Sequence, residues 1–214
     1  MKRKFLTLAV AVAGIFCSIN ADAQKTEKLF NGKDLSNWGF VVKDNAVDPA
    51  TVYSVKDGMI HISGQPFGYM YTKEKYANFK LHVEWKWEGK PTNSGIFLLL
   101  ENLNNPFPKG IETQLCAGKA GDFVLLNGSD LLEFQTRRGE ERPKFPIIER
   151  KVKEGVEKPA GEWNEANIFV KNGVVTVYIN GVYQNTGTSK VKEGSIALQS
   201  EGGPILFRNV TITK

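Results

Sequence analysis

Lys80-Leu81-His82-Val83-Glu84-Trp85-Lys86-Trp87-Glu88 alternates without a break: Leu81, Val83, Trp85 and Trp87 are apolar and the residues between them are polar. A period of two belongs to a strand with one face in a core and the other in water. Working outward, Ile168 to Val182 carries two Asn-Gly pairs, Asn172-Gly173 and Asn180-Gly181, each flanked by β-formers. Such pairs accept the left-handed backbone of two-residue hairpin turns, so this stretch predicts a meander of antiparallel strands. Further strands are expected at Thr51 to Val55, Met59 to Ser63, Gly95 to Leu100, Ile111 to Leu115, Phe123 to Leu126, Ser195 to Ser200 and Ile205 to Thr213. Turn signals about every 8 to 12 residues point to an all-β fold, a two-sheet antiparallel sandwich or jelly roll.

Two segments break this rhythm. Glu101 to Gly110 is punctuated by Asn and Pro and reads as a loop. Gln135 to Glu162 mixes Arg137, Arg138, Glu140, Glu141 and Arg142 with Pro143, Pro146 and Pro159. It reads as a solvated excursion or, more sharply, as a rim over a binding face.

The ends and the composition bound what the chain can be. Met1-Lys2-Arg3-Lys4, the apolar run Phe5 to Ile19 and Ala21-Asp22-Ala23 form a signal peptide, residues 1–23, with cleavage before Gln24. Export to the periplasm or beyond follows as an expectation. Bulky Phe16 before Cys17 argues against lipid anchoring; the 15-residue run Phe5 to Ile19 is short for a membrane span, and no later segment approaches the ~18 apolar residues one needs. Residues 24–214 make one domain, long enough to bury a core without metal or disulfides. Without Lys2, Arg3, Lys4 and Asp22, the 28 basic and 23 acidic residues become 25 and 22, a net of +3. With no basic stripe interleaved with aromatics, nucleic acid is not an expected partner. Cys116 is then the one cysteine left, a packed thiol without an internal disulfide partner.

Chemistry is bounded first by what is missing. There is no Gly-rich phosphate loop, Cys-x-x-Cys, His-Glu-x-x-His or Gly-x-Ser-x-Gly, and His61 and His82 are the only histidines. Carboxylates and amides are more informative. Glu112 and Gln114 repeat at the strand period and so share a face. Ile196 and Leu198 face the core, which leaves Ala197, Gln199 and Glu201 on the opposite face. Adding Glu84, Lys86 and Asn93 before Gly95, one sheet is expected to expose carboxylates, amides and a cation together. That mixture suits a hydroxyl-rich ligand, with Trp163 as packing residue or sugar platform. A polar outer sheet face without a ligand would read the same way. Arg208, among alternating apolar residues, calls for a partner such as Glu201.

Leu29-Phe30-Asn31-Gly32-Lys33-Asp34-Leu35 with Trp38, Phe79 to Trp85, Asn93-Ser94-Gly95-Ile96, Glu112-x-Gln114, Gly161-Glu162-Trp163-Asn164, Asn180-Gly181, and Gly194 to Gly202 ending in Phe207-Arg208-Asn209-Val210 resemble, in this order, the 3-keto-disaccharide hydrolase family. The resemblance implies a concanavalin A-like jelly roll of the lectin and glucanase type, and activity on glycosides already oxidised at C3. It also implies an upstream sugar 3-dehydrogenase, since this chain has no nicotinamide motif. The chain departs from the family where an Asp commonly follows the Glu-x-Gln strand: Leu115-Cys116-Ala117-Gly118 stands there, and the nearest acid is Asp122.

A C3 ketone acidifies the C2 hydrogen, so a base, an acid for the leaving group and an electrophile at the keto oxygen suffice for elimination followed by hydration. Catalytic candidates are Glu112 as base, Lys86 as electrophile and Glu84 or Glu201 as second carboxylate. Gln114, Asn93, Gln199 and Trp163 are candidate sugar ligands. No cofactor is required by this route; folds of this type often hold a structural calcium, which no pattern here specifies. The alternatives are a non-catalytic carbohydrate-binding module, a jelly-roll glucanase, whose Glu-x-Asp-x-x-Glu strand is absent here, and an interaction protein with solvated Glu112 and Gln114.

Overall fold

The computed structural model describes residues 25–103 and 105–214. The expected signal peptide, residues 1–23, lies outside them. The strands, in chain order, are β1 (Thr26–Lys28), β2 (Trp38–Val42), β3 (Tyr53–Lys56), β4 (Met59–Ile62), β5 (Gly68–Thr72), β6 (Phe79–Trp87), β7 (Gly95–Leu100) and β8 (Gly110–Gln114). They continue with β9 (Phe123–Leu126), β10 (Ile147–Ile148), β11 (Asn164–Lys171), β12 (Val174–Ile179), β13 (Val182–Thr188), β14 (Ser195–Ser200) and β15 (Ile205–Thr213). Their pairing is antiparallel throughout and makes two sheets: β13-β12-β11-β6-β15-β4-β3, with β1 also on β15, and β10-β9-β8-β7-β14-β5-β2. This is the expected jelly-roll sandwich.

The opening stretch behaves as its alternation demands. In β6 Leu81, Val83, Trp85 and Trp87 are buried against the second sheet's Ile96, Leu98, Ile111 and Ile196, while Lys80 is exposed and His82, Glu84 and Lys86 are half-buried on the outer side. Truncating a side chain as large and enclosed as Trp85 to Ala would cost about 3 to 5 kcal/mol. Both Asn-Gly pairs turn the chain as read: Asn172 and Gly173 have φ of 52° and 82°, and Asn180 and Gly181 of 48° and 78°. They produce the β11-β12-β13 meander.

Strand β5 escaped the sequence reading for a physical reason. Gly68, Tyr69, Met70 and Thr72 are all buried, because the strand has the core on one face and an aromatic layer on the other, and no alternation survives.

The Gln135 to Glu162 segment is tied down rather than free. Ile147–Ile148 pairs with β9, and the Arg150 side chain and backbone N–H both donate to Asp122 Oδ1, at 3.1 and 2.7 Å. The bulge in β12-β13 pairing leaves Gln184 and Asn185 buried, and Asn185 donates to Ile148 O at 2.9 Å while Lys151 N–H donates to Gln184 O at 2.8 Å. The segment is a strap from the edge of the second sheet to the edge of the first.

Candidate active site

The outer face of the second sheet is divided. Part of it is apolar: Tyr69, Phe97, Leu100, Val124, Leu126 and Ala197 form a cluster separate from the core, packed under Leu103 and Phe145. The Tyr69 hydroxyl sits 3.0 Å from both Leu103 O and Asn105 O, which fastens the Glu101–Gly110 loop onto this face. Phe107 from that loop stacks on Phe67 at 4.5 Å and lies 5.4 Å from Phe145. Both irregular segments therefore contribute to the roof, Phe145 from the segment read as a rim and Phe107 from the one read only as a loop.

The remaining part is polar and is built by register. Phe97 pairs with Glu112 and with Ala197, and Gly95 pairs with Gln114. Glu112 thus lies diagonally opposite Gly95, and a Cβ there would come within 2.3 Å of Glu112 Oε1. Only glycine leaves the carboxyl its place across the strand. Gln199, one strand over, donates from Nε2 to Glu201 Oε2 at 2.8 Å, and Asn93, whose backbone bridges to Glu201, also hydrogen-bonds that carboxyl.

Two carboxyls thereby share one corner and cannot both ionise freely. Burial, and then the Glu201 charge, raise Glu112 well above its ordinary value. Burial also raises Glu201, against the amide hydrogen bonds of Asn93 and Gln199 that favour its anion. Ionisation of Glu112 is thus disfavoured, and the Asn93 and Gln199 amides offset only part of what burial does to Glu201. Around them Asn93 Oδ1, Glu112 Oε1 and Gln199 Oε1 are buried without a hydrogen-bond partner among the described residues. Each such atom carries a penalty of about 1 to 3 kcal/mol. Gln114 spends its oxygen on the N–H groups of Leu115 and Cys116, at 3.1 and 3.0 Å, which leaves its amide nitrogen for a ligand. Beside this corner the half-buried Cys116 thiol is pushed up by burial and by Glu157, Glu201 and Glu112 against Lys119, the state of a packed thiol rather than a nucleophile.

From residue 25 to residue 213 the sequence matches the model of the 3-keto-alpha-glucoside-1,2-lyase-like domain. The chain belongs to this family. A Bacteroides thetaiotaomicron protein named 3-keto-disaccharide hydrolase is 26% identical over 168 residues, 73% of this chain, and the match spans 56% of that relative's length. A candidate glycosyl hydrolase of Parabacteroides distasonis shares the fold with a TM-score of 0.63 at 23% identity, covering 87% of this chain and 92% of that one. The carbohydrate-binding module CBM66 of Bacillus subtilis does so with a TM-score of 0.58 at 8% identity, over 83% and 96% of the two chains. For the β-glucanase of Bacillus licheniformis the TM-score is 0.53 at 12% identity, over 90% and 98%.

The structure brings together Glu112, Glu201, Gln199, Asn93 and Gln114, and separates Glu84, Lys86 and Trp163 from them. The expectation that all share one sheet is corrected: β6 and β11 belong to the first sheet, and these three side chains lie outside its core face, with the whole core between them and Glu112. Glu84 accepts from Arg208 Nε at 2.6 Å and Asn209 Nδ2 at 2.7 Å. Burial raises its carboxyl, but Asn209, Arg208 and His82 together outweigh that and leave it below its usual range. Arg208 therefore pairs with Glu84 and not with Glu201. The Trp163 ring carries the Arg208 guanidinium at 3.9 Å and Lys86 Nζ at 4.9 Å, so cations occupy the ring that was expected to offer a sugar platform.

Asp122 does not stand in for the acid missing after Gln114, because Arg150 engages it. Among the described residues no three His, Cys, Asp or Glu side chains gather as a metal cage. Sequence reading could not find the roof residues Phe67 and Phe107, whose only signal was that the loop near them is long.

Proposed function

We propose that this chain cleaves 3-keto-glycosides on the outer face of its second sheet, by elimination and hydration. The observation that carries the reading is the Glu112–Glu201 corner over Gly95, where a buried carboxyl shares one corner with a second carboxyl hydrogen-bonded by Gln199 and Asn93. The names of its family and of its Bacteroides relative support the substrate class. With Lys86 on the other sheet, the roles fall to the residues of this corner. Glu201, rather than the more deeply buried Glu112, is the base.

Glu201 takes the C2 proton, the C1–O bond breaks, and the departing oxygen takes the proton of Glu112. The products of this half are a free alcohol and a 1,2-unsaturated 3-keto sugar. Hydration runs the proton flow backwards: Glu112 takes a proton from water as the water oxygen bonds to C1, and Glu201, whose proton exchanges with solvent once the alcohol has left, delivers a solvent-derived proton to C2. Both carboxyls end as they began. A lyase would stop after the first half and a hydrolase would complete the second, so the proposed route is compatible with both printed names. Asn93, Gln199 and Gln114 orient the sugar hydroxyls. A sugar 3-dehydrogenase supplies the ketone, and residues 1–23 direct export; both are part of the proposal.

The test incubates the purified protein with a 3-keto-disaccharide and with its unoxidised parent in deuterated water. Release of sugar from the keto compound alone, with deuterium at C2, is the expected result. Equal cleavage of both compounds overturns keto-dependent elimination. No release from either by folded protein makes this face a sugar-binding surface only.

A further inference from the structure

On the outer face of the first sheet, away from the Glu112 corner, three aromatic rings stand in a row across three strands. Phe169 on β11 meets Tyr178 on β12 at 5.8 Å between ring centres, and Tyr178 meets Tyr183 on β13 at 5.7 Å. Phe169 is 40% exposed and Tyr183 36%, values unusual for rings on a sheet that has a full core on its other side. The bulge after Val177 creates the row: it brings Tyr183 opposite Tyr178 while Gln184 and Asn185 stay buried. The rings are steeply inclined to one another, at 81° and 64°, so they form ridges with slots between them rather than a flat plate.

Polar groups flank the rings, and Lys80 Nζ lies over the Phe169 ring at 5.5 Å, farther off than the two cations on Trp163. Asn167, paired with Tyr178, holds His82 at 3.1 Å, and Thr176, paired with Phe169, shares a hydrogen bond with Thr186 at 3.1 Å. Apolar ring faces set between fixed amide, imidazole and hydroxyl groups match a ligand whose C–H faces alternate with hydroxyls. A second copy of this chain fits less well. Strand addition at the β13 edge is obstructed, because Gln184 O and Thr188 O already accept from Lys151 and Leu132. Face-to-face pairing needs about 800 Å² per partner with an apolar centre, and here the apolar part is one narrow row with polar side chains along its flanks.

We propose that the Phe169–Tyr178–Tyr183 row is a second carbohydrate-binding surface that holds a neutral polysaccharide chain without cleaving it. It rests on the reading that the chain handles sugars but not on any residue of the Glu112 corner. Its effect would be to keep the enzyme on a glycan while the other face works on small keto-glycosides.

The test is affinity electrophoresis of the wild-type protein and of the Phe169→Ala/Tyr178→Ala/Tyr183→Ala variant in gels containing soluble β-glucan, xylan or starch. Retardation of the wild type by at least one of these, weakened tenfold or more in the variant, is expected. Turnover of a 3-keto-disaccharide is expected to be equal in the two proteins. No retardation of the wild type, or equal retardation of both, overturns the proposal. Sedimentation showing a wild-type dimer that the variant loses would assign the row to a second copy and also overturn it. Because the three substitutions are on an outer face, unfolding temperature checks that the variant is intact. Retardation with no keto-disaccharide turnover would leave this proposal standing and remove the catalytic one.

Discussion

Gly95→Ala tests the carboxyl corner with one methyl group. Gly95 does not occupy the left-handed region, so alanine costs nothing there in backbone strain. What the methyl meets is Glu112: Oε1 at 2.3 Å, Cδ at 2.9 Å and Cγ at 2.9 Å. Ordinary contact begins near 3.4 Å, so the oxygen must retreat by 1.1 Å, the difference between the two distances. Glu112 is 3% exposed and flanked in register by Phe97 and Val124, which gives it little room on either side. Overpacking of this kind costs about 1 to 3 kcal/mol of stability. Displacing a catalytic group by roughly 1 Å costs on the order of 100-fold in rate. The assay is turnover of a 3-keto-disaccharide beside urea unfolding, with Gly89→Ala as control, since a Cβ at Gly89 has nothing within 4 Å. Wild-type turnover in a folded Gly95→Ala protein would refute the placing of Glu112 in the chemistry.

Glu112→Gln and Glu201→Gln should each lower turnover by about 10² to 10⁴, the range for losing a general acid or base, measured as kcat on the keto substrate. Glu112 also carries a stability signature. Its folded value is raised, so the folded protein binds more protons than the unfolded one, and stability falls as pH climbs from the ordinary carboxyl value of 4.5 through the raised one. Glu112→Gln should remove that fall, so urea unfolding is expected to show the variant gaining on the wild type as pH rises across this window. Arg150→Met leaves Asp122 buried without its cation and should cost about 3 to 5 kcal/mol in urea unfolding, with the strap the first part to lose hydrogen-exchange protection. Lys86→Ala and Trp163→Ala, on the far face of the first sheet, should retain wild-type turnover in the same assay.

Strands that alternate could be read from the sequence because burial on one face writes itself into every second residue. β6, and most of β15, fall within a residue of their expected ends for that reason, whereas β7, β9 and β14 are buried at every position and are legible instead as short apolar runs between turn residues. What alternation reports is inside against outside of a sandwich, and a sandwich has two outsides. Glu84 on β6 and Glu112 on β8 carry the same local signal, a carboxylate on the polar side of an apolar strand. They differ only in that β6 hydrogen-bonds to β11 and β15, while β8 hydrogen-bonds to β7 and β9.

Those pairings join residues far apart in the chain, and no window of sequence contains them. The neighbourhood of each carboxyl follows from them. Glu84 faces Arg208, a cation, and its carboxyl is lowered; Glu112 is buried, faces Gly95, an absence of side chain, and Glu201, a like charge, and its carboxyl is raised. The same side chain is therefore a salt-bridged carboxylate on one sheet and a buried carboxyl that resists ionisation on the other. The residue most diagnostic of the difference, Gly95, carries no functional group at all, and its part in the site is visible only once β7 and β8 are set side by side.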